Sequence, residues 1–184
     1  MGKVVVVGIT GASGIIYGKR IAEEIGRRAE VRLIISKTAR EIGRHEGIDL
    51  DGLRATREEN GDLAAIISSG SFRHDGMVIA PCSMKTLAGI ANGYTETLVT
   101  RAADVTLKER RRCVLLLREM PLSRIHLTNM LAAHDAGATV MVASPAFYHR
   151  PRTIDQLVDM VVARVLDHLD IPHDLPVRWG GYDA

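Results

Sequence analysis

The chain has 184 residues, of which 46% are hydrophobic and 25% are charged, as in ordinary globular domains. This length corresponds to one compact domain, since domains average roughly 150 residues. The formal net charge of +2 is too small for a dedicated nucleic-acid-binding surface. No apolar run approaches the roughly 20 residues of a membrane span, and the N-terminus does not resemble a signal peptide. We therefore predict a cytoplasmic protein that binds neither nucleic acid nor membrane.

The two cysteines, Cys82 and Cys113, are too few for a disulfide scaffold. No spacing of cysteine and histidine resembles a zinc site, so we expect no metal centre. Both side chains are instead expected to be buried as small hydrophobic groups.

Short β-branched runs alternate with helical patterns along most of the chain. The expected strands are continuously apolar, which indicates burial on both faces: Val4–Ile9, Val31–Ile35, Met77–Ala80, Cys113–Leu117 and Thr139–Ala143. The expected helices lie near residues 14–27, 37–46, 62–69, 83–91, 96–110, 123–136 and 154–168. This alternation predicts an α/β fold, a single-domain Rossmann- or flavodoxin-like doubly wound parallel sheet with helices on both faces. The domain is expected to span residues 1–172, and residues 173–184 to form a tail that frays or packs on a neighbouring subunit.

Ligands of such sheets bind beyond the carboxyl ends of the strands, which directs attention to two loops. Thr10–Gly14 joins the first strand to a helix, and its glycines permit a tight turn while the N–H groups of the helix start favour an anion. The alternative is a simple turn with Ser13 as the helix cap. Pro81–Thr86 offers hydroxyl groups, an ammonium group and a second helix start, which suit a flat heterocycle or a phosphate. The alternative there is a cap at Ser83 with Lys85 in solvent.

Charged residues elsewhere have both structural and functional interpretations. Arg101, Asp104 and Lys108 share one helix face, a spacing typical of an exposed ion-pair stripe. Arg118-Glu119 ends the fourth strand, where desolvating two charges is costly unless they are paired or bind a ligand. Arg164 lies at the margin of an apolar helix stripe, where an arginine can extend its charged end to solvent.

A dinucleotide-dependent dehydrogenase is disfavoured by two observations. Its second strand should end in an acidic residue that binds ribose, whereas this strand ends in Ser36-Lys37. Short-chain dehydrogenases also need a tyrosine followed by lysine four residues later, and Tyr148 is followed by Arg152. Tyr148 lies in a loop that could instead close over a ligand or cover the core.

Taken together, these segments resemble the UbiX/Pad-type flavin prenyltransferase family. The matching stretches are GITGASG at 8–14, ISK at 35–37, APCSMKTLAGIANG at 80–93, RAADVTLKERR at 101–111, LREMPLSRIHLTNM at 117–130 and SPAFYHRP at 144–151. Their order along nearly the whole chain is specific, although each stretch alone is not. The resemblance implies transfer of a dimethylallyl group from dimethylallyl phosphate to reduced FMN without a metal. It also implies a homo-dodecamer with active sites between subunits, and delivery of prenylated FMN to a UbiD-type decarboxylase.

The resemblance further implies roles for individual residues. The FMN-binding residues would be Gly11, Ala12, Ser13, Ser36, Ser83, Met84, Lys85, Thr86 and Arg118. The catalytic residues would be Ser13, Glu46, Arg101, Lys108 and Glu119, with Glu46 as the acid–base carboxylate. Tyr148 and Arg164 would hold the prenyl phosphate, whose departing oxygens cations can stabilise.

Two other functions remain open on the same scaffold. A flavin-dependent cysteine decarboxylase carries the hallmark Pro-Ala-Ser-Ala-Asn-Thr, which Pro81–Thr86 matches except that Lys85 replaces the asparagine. The substrate clamp of that group is also absent, and Ser144–Pro151 occupies its region. A non-prenylating FMN redox or carrier protein would keep the FMN contacts but would not need Tyr148, Arg164 and Glu46 together.

Overall fold

A computed structural model describes residues 2–175, which contain a six-stranded, all-parallel sheet flanked by helices. The strands are β1 (Val4–Ile9), β2 (Glu30–Ile35), β3 (Thr56–Glu58), β4 (Gly76–Cys82), β5 (Arg112–Leu117) and β6 (Thr139–Val142). The helices are α1 (Ile15–Gly26), α2 (Lys37–His45), α3 (Met84–Ala91), α4 (Leu98–Lys108), α5 (Arg124–Asp135) and α6 (Ile154–Leu169). The spatial order β3-β2-β1-β4-β5-β6 confirms the predicted doubly wound fold.

The centre of the sheet is β1, which pairs with β2 on one side and with β4 on the other. Val5 lies opposite Val31 of β2 and Gly76 of β4. After β1 the chain builds outward to β3 at one edge, and after β4 it builds outward to β6 at the other. The loops that leave β1 and β4 therefore run in opposite directions, which opens a crevice at the carboxyl ends of these two strands.

Alternate residues of β1 contribute to two separate hydrophobic clusters. Val5, Val7 and Ile9 pack with α1 and α6, whereas Val6 packs on the opposite face with residues of α3 and α4. Because both faces of the sheet are covered by helices, the strand needs no polar side, which explains its continuously apolar sequence.

The structure differs from the sequence-based prediction at one helix and at one strand. The helix predicted at residues 62–69 is only a 3-10 turn at Ile66–Ser68, because this segment buries Ala65 and Ile67, a spacing of two that gives no helical apolar stripe. The strand β3 was not predicted, since it lies in a polar stretch without alternation. As an edge strand it is held by pairing with β2 and by an ion pair of 3.0 Å between Arg32 and Glu58.

The beginning of the C-terminal tail packs on its own chain. The Nε2 atom of His173 lies 3.3 Å from Asp167 Oδ1, and Leu175 contacts the hydrophobic cluster beside α6. The rest of the predicted tail, with Trp179 and Tyr182, lies outside the described residues. Between residues 2 and 175, no helix is both long enough and apolar enough to cross a membrane.

Both cysteines are buried free thiols, as the sequence predicted. Burial raises the pKa of Cys113 to about 12, so its thiol stays protonated at neutral pH. Cys82 ends β4 and is equally enclosed, and burial raises the pKa of its thiol as well. Neither side chain therefore supplies a reactive thiolate.

Helix α1 lies so close to β4 that one position has no room for a side chain. A Cβ atom on Gly18 would lie 2.1 Å from the carbonyl oxygen of Ala80. That distance is shorter than any van der Waals contact, and the obstacle is backbone that cannot rotate away. The close approach keeps the start of α1 against the carboxyl end of β4.

We expect the Gly18→Ala substitution to lower the free energy of unfolding by about 2 kcal/mol or more, because overpacking against backbone is costly. Helix propensity alone would raise it by about 1 kcal/mol, so the sign is diagnostic. Urea unfolding followed by circular dichroism measures the change. Gly61→Ala is the control, since its Cβ would meet no atom within 4 Å. Unchanged or increased stability of Gly18→Ala would contradict the close approach.

Candidate functional site

A cleft of about 350 Å³ opens at the carboxyl ends of β1 and β4, where the strand order reverses. Its volume lies within the range of about 300–1,000 Å³ typical of small-molecule sites. The predicted site residues that line it are Gly11, Ala12, Ser36, Ser83, Met84, Lys85, Thr86, Arg118 and Glu119. The loops chosen from the sequence therefore meet around one cavity.

Two helix starts form part of the cleft wall. The Oγ atom of Ser36 accepts the Ala39 N–H at 3.1 Å, and that of Ser83 accepts the Thr86 N–H at 3.3 Å. Each serine therefore caps one helix, α2 or α3, as the alternative interpretation of Ser83 predicted. The remaining first-turn N–H groups have no intrahelical acceptor and give each helix start a partial positive charge. Lys85 adds a full positive charge to the same wall.

The start of α1 differs, because a carboxylate of the protein itself occupies it. Glu46 is half-buried; its Oε1 accepts the Gly14 N–H at 2.8 Å and its Oε2 accepts the Ile15 N–H at 2.9 Å. Gly14 is the N-cap, with a φ of 97° and no side-chain cap bond, so the alternative of Ser13 as the cap is wrong. The N–H groups that the sequence predicted for a ligand anion are therefore bonded to Glu46.

Arg118 and Glu119 face the cleft from the end of β5, and each is hydrogen-bonded to backbone. Arg118 Nε donates to the Ser13 carbonyl oxygen at 2.9 Å, which ties β5 to the loop after β1. Glu119 Oε1 accepts the Met120 N–H at 3.0 Å. Both side chains are only half-buried, so the desolvation cost expected for this charged pair is reduced. Ser13 itself is exposed and contributes its carbonyl group to the rim.

The predicted catalytic cations Arg101 and Lys108, and the predicted phosphate-binding residues Tyr148 and Arg164, do not line the cleft in the described part of one chain. Arg101 donates to the Ser68 carbonyl oxygen at 3.1 Å and pairs with Asp104 at 3.2 Å. This pair matches the ion-pair stripe that the sequence indicated on α4. Lys108, one further turn along α4, forms an ion pair of 2.6 Å with Glu109.

The other two members of this group lie near the C-terminal helix. Arg164 pairs with Asp167 at 3.0 Å on α6, and half of its side-chain surface is exposed. Tyr148 is 46% exposed in the loop between β6 and α6. Both side chains are therefore accessible on the surface of a single chain, apart from the cleft.

Five lining residues were not predicted as site residues from the sequence: Thr10, which begins the Thr10–Gly14 loop, and Thr38, Asn60, Thr97 and Val99. Asn60 caps α4 from a distant loop, because its Oδ1 accepts the Val99 N–H at 3.1 Å and its carbonyl oxygen accepts the Leu98 N–H at 2.8 Å. No local pattern reveals a contact across 39 residues. Thr97, by contrast, has a local signal in the sequence, since Thr97 and Thr100 form a capping box at the start of α4.

The cleft provides hydroxyl groups, amides and fixed charges rather than a reactive nucleophile. Cys82 next to it stays protonated, and the phenol of Tyr17 behind Gly14 is also partly enclosed. Burial raises the pKa of Tyr17, which keeps it neutral at physiological pH. Such a set of groups suits binding of a polar, planar molecule that carries an anionic group.

Comparison with known proteins agrees with this chemistry. The Flavoprotein family profile matches residues 1–166. The flavin prenyltransferase UbiX of Methanocaldococcus jannaschii is 47% identical over 96% of this chain and 98% of its own length. The crystal structure of AnUbiX (PadA1) in complex with FMN and dimethylallyl pyrophosphate superposes with a TM-score of 0.95 at 42% identity, covering 99% of this chain and 100% of the other.

A dodecameric FMN-dependent UbiX-like decarboxylase from Escherichia coli O157:H7 superposes with a TM-score of 0.92 at 45% identity, covering 97% of this chain and all of the other. A PPC decarboxylase structure, by contrast, shares 19% identity at a TM-score of 0.63, which is a likeness of fold alone. High sequence identity over nearly the full length therefore places this chain with the UbiX-type proteins rather than with the PPC decarboxylase. The chain belongs to the Flavoprotein family and, within it, to the UbiX-type flavin prenyltransferases.

Proposed function

We propose that the chain acts in the cytoplasm as a flavin prenyltransferase. It transfers the dimethylallyl group of dimethylallyl phosphate to reduced FMN, and the prenylated FMN passes to a UbiD-type decarboxylase. The observation that carries the proposal is the cleft between β1 and β4, where the motifs that were predicted to bind flavin lie together at a topological switch point.

The residues of the cleft fit FMN. The α2 and α3 starts, with Lys85 and Arg118, favour its phosphate, and the amide of Asn60 suits the polar edge of its ring. Met84 and Val99 give the cleft apolar surface for a flat ring system. When bound and reduced, the flavin supplies the electron-rich ring atoms that accept the allyl group.

Breaking the allylic C–O bond leaves negative charge on the phosphate, which nearby cations stabilise. In the proposal Arg101, Lys108 and Arg164 supply these cations and Tyr148 a hydroxyl group. These four residues lie at separate places on one chain, and each is exposed or half-exposed on its surface. In an oligomer, a neighbouring subunit can therefore place its copies of these residues beside the cleft of this chain.

An exposed apolar surface supports assembly of subunits. Ala133 is the only buried residue of α5. The apolar residues Ile125, Leu127 and Leu131 of the same helix are 52–72% exposed. Met120, just before this helix, is 87% exposed. A homo-oligomer, with the dodecamer as the proposed form, would cover such apolar surface.

Glu46 is the proposed base of the reaction. Joining the dimethylallyl group to the flavin by two bonds would release one proton, so the reaction would need a base. The two backbone hydrogen bonds of Glu46 fix its carboxylate at the start of α1 beside the Gly11–Gly14 loop. A positioned carboxylate of this kind accepts a proton without reorganisation. Glu119 and Ser13 complete the proposed polar surroundings at the rim.

We expect anaerobic incubation with reduced FMN and dimethylallyl phosphate to add one five-carbon unit to the flavin, as measured by mass spectrometry of the released flavin. Oxidised FMN under the same conditions is the control and should stay unmodified. Unchanged flavin mass, with folded and FMN-bound protein, would refute the proposal. Carbon dioxide release from a phosphopantothenoylcysteine-type substrate would instead support the decarboxylase alternative, and NADPH turnover the redox alternative.

Glu46→Gln should slow formation of prenylated FMN about 100-fold or more, because loss of a positioned base typically costs that much. FMN affinity should stay within about threefold, since glutamine keeps an acceptor for the helix start. Product is quantified by chromatography and absorbance, and FMN affinity by fluorescence titration. Glu41→Gln, which removes an exposed carboxylate from α2, is the matched control. Wild-type product yield from Glu46→Gln would remove this residue from the mechanism.

A further inference from the structure

Thr10, the residue at which β1 leaves the sheet, is bonded to β4 by its side chain as well as its backbone. It is 2% exposed and lies in the wall of the cleft. Its Oγ1 donates to the Pro81 carbonyl oxygen at 2.9 Å and accepts the Ser83 N–H at 2.9 Å. Its own N–H also donates to the Pro81 carbonyl oxygen, at 3.1 Å. Three hydrogen bonds from one residue therefore join the ends of the two strands.

The hydroxyl group takes a place that a main-chain carbonyl has in a regular ladder. In parallel pairing, N–H groups of one strand bond to carbonyl groups of the next at even spacing. Here the Ser83 N–H bonds to the Thr10 side chain, while the Thr10 carbonyl oxygen accepts the Ala12 N–H at 2.8 Å. The backbone can therefore turn away from the sheet at Gly11 while β1 and β4 remain bonded.

The hydrogen bonds of the Thr10 hydroxyl group hold the two sides of the cleft in a fixed position relative to each other. On one side lie Gly11 and Ala12, directly after Thr10, and on the other lies Ser83, the cap of α3. We propose that Thr10 is a positioning residue for FMN, whose hydroxyl group sets the separation of the two flavin-binding loops. The proposal rests on the proposed function only in that FMN is the ligand. The hydroxyl hydrogen is donated to Pro81, so Thr10 acts through its neighbours.

The test compares FMN affinity of Thr10→Val and Thr10→Ser with that of the wild type, by fluorescence titration with oxidised FMN. Valine keeps the shape but leaves the half-buried Ser83 N–H without its acceptor, whereas serine keeps the hydroxyl group. We expect the FMN Kd to rise about tenfold or more for Thr10→Val and to stay within about threefold for Thr10→Ser.

Thr106→Val separates positioning from general stability. Thr106 is also fully buried, and its hydroxyl donates to the Ala102 carbonyl oxygen at 2.6 Å within α4, beside His74 rather than in the cleft wall. Both valine variants should lower the thermal midpoint, but only Thr10→Val should weaken FMN binding. An equal rise of the FMN Kd in both variants would assign Thr10 a merely structural role and overturn the proposal.

An unchanged FMN Kd in folded Thr10→Val would also overturn it. Should that variant not fold, Thr10→Cys replaces it, since a thiol is close to serine in size but a weak hydrogen-bonding group. Its FMN Kd should exceed that of Thr10→Ser, and equality of the two would contradict the proposal. Because oxidised FMN is titrated, failure of prenyl transfer in the wild type would refute the proposed function and leave this inference intact.

Discussion

The divergence of the chain between β1 and β4 determines where the cleft lies. β1 continues into α1, which packs on one face of the sheet, and β4 continues into α3, which packs on the other, so the two strands send their loops in opposite directions. The carboxyl ends of the strands then carry polar backbone groups that nearby side chains or a ligand must satisfy. Thr10 forms hydrogen bonds with two of these groups, the Pro81 carbonyl oxygen and the Ser83 N–H. The other polar groups of the crevice remain available to a ligand.

The helix starts around this crevice are alike in position and different in chemistry. Serines cap α2 and α3, which leaves part of their first-turn N–H groups for an anionic ligand. The start of α1 instead binds Glu46, a residue of the same chain, through two N–H groups. In the proposed function, one set of backbone amides favours the phosphate of FMN, and the other orients the carboxylate that is proposed as the base.

The sequence predicts the sheet well because its strands are buried on both faces, and burial leaves a continuous apolar signal. It fails for β3, since an edge strand is held by pairing and by charge rather than by apolar alternation. The loops of the site can also be predicted from the sequence, because glycines and serines at strand ends form turns and helix caps, which depend on local sequence. Contacts between distant segments, such as Asn60 with α4 and Glu46 with α1, are not readable, because no local pattern encodes the partner.

The division of the proposed site between subunits is the central claim, and complementation tests it most directly. Arg118→Ala removes a cation that lines the cleft, and Arg164→Ala removes a residue proposed to hold the prenyl phosphate, so each variant alone should be nearly inactive. Mixed oligomers from coexpression should recover about a quarter of the wild-type prenyl transfer rate, because half of the clefts are intact and half of those meet an intact neighbour. If the mixed oligomers stay as inactive as the single variants, both residues act within one chain and the account is contradicted.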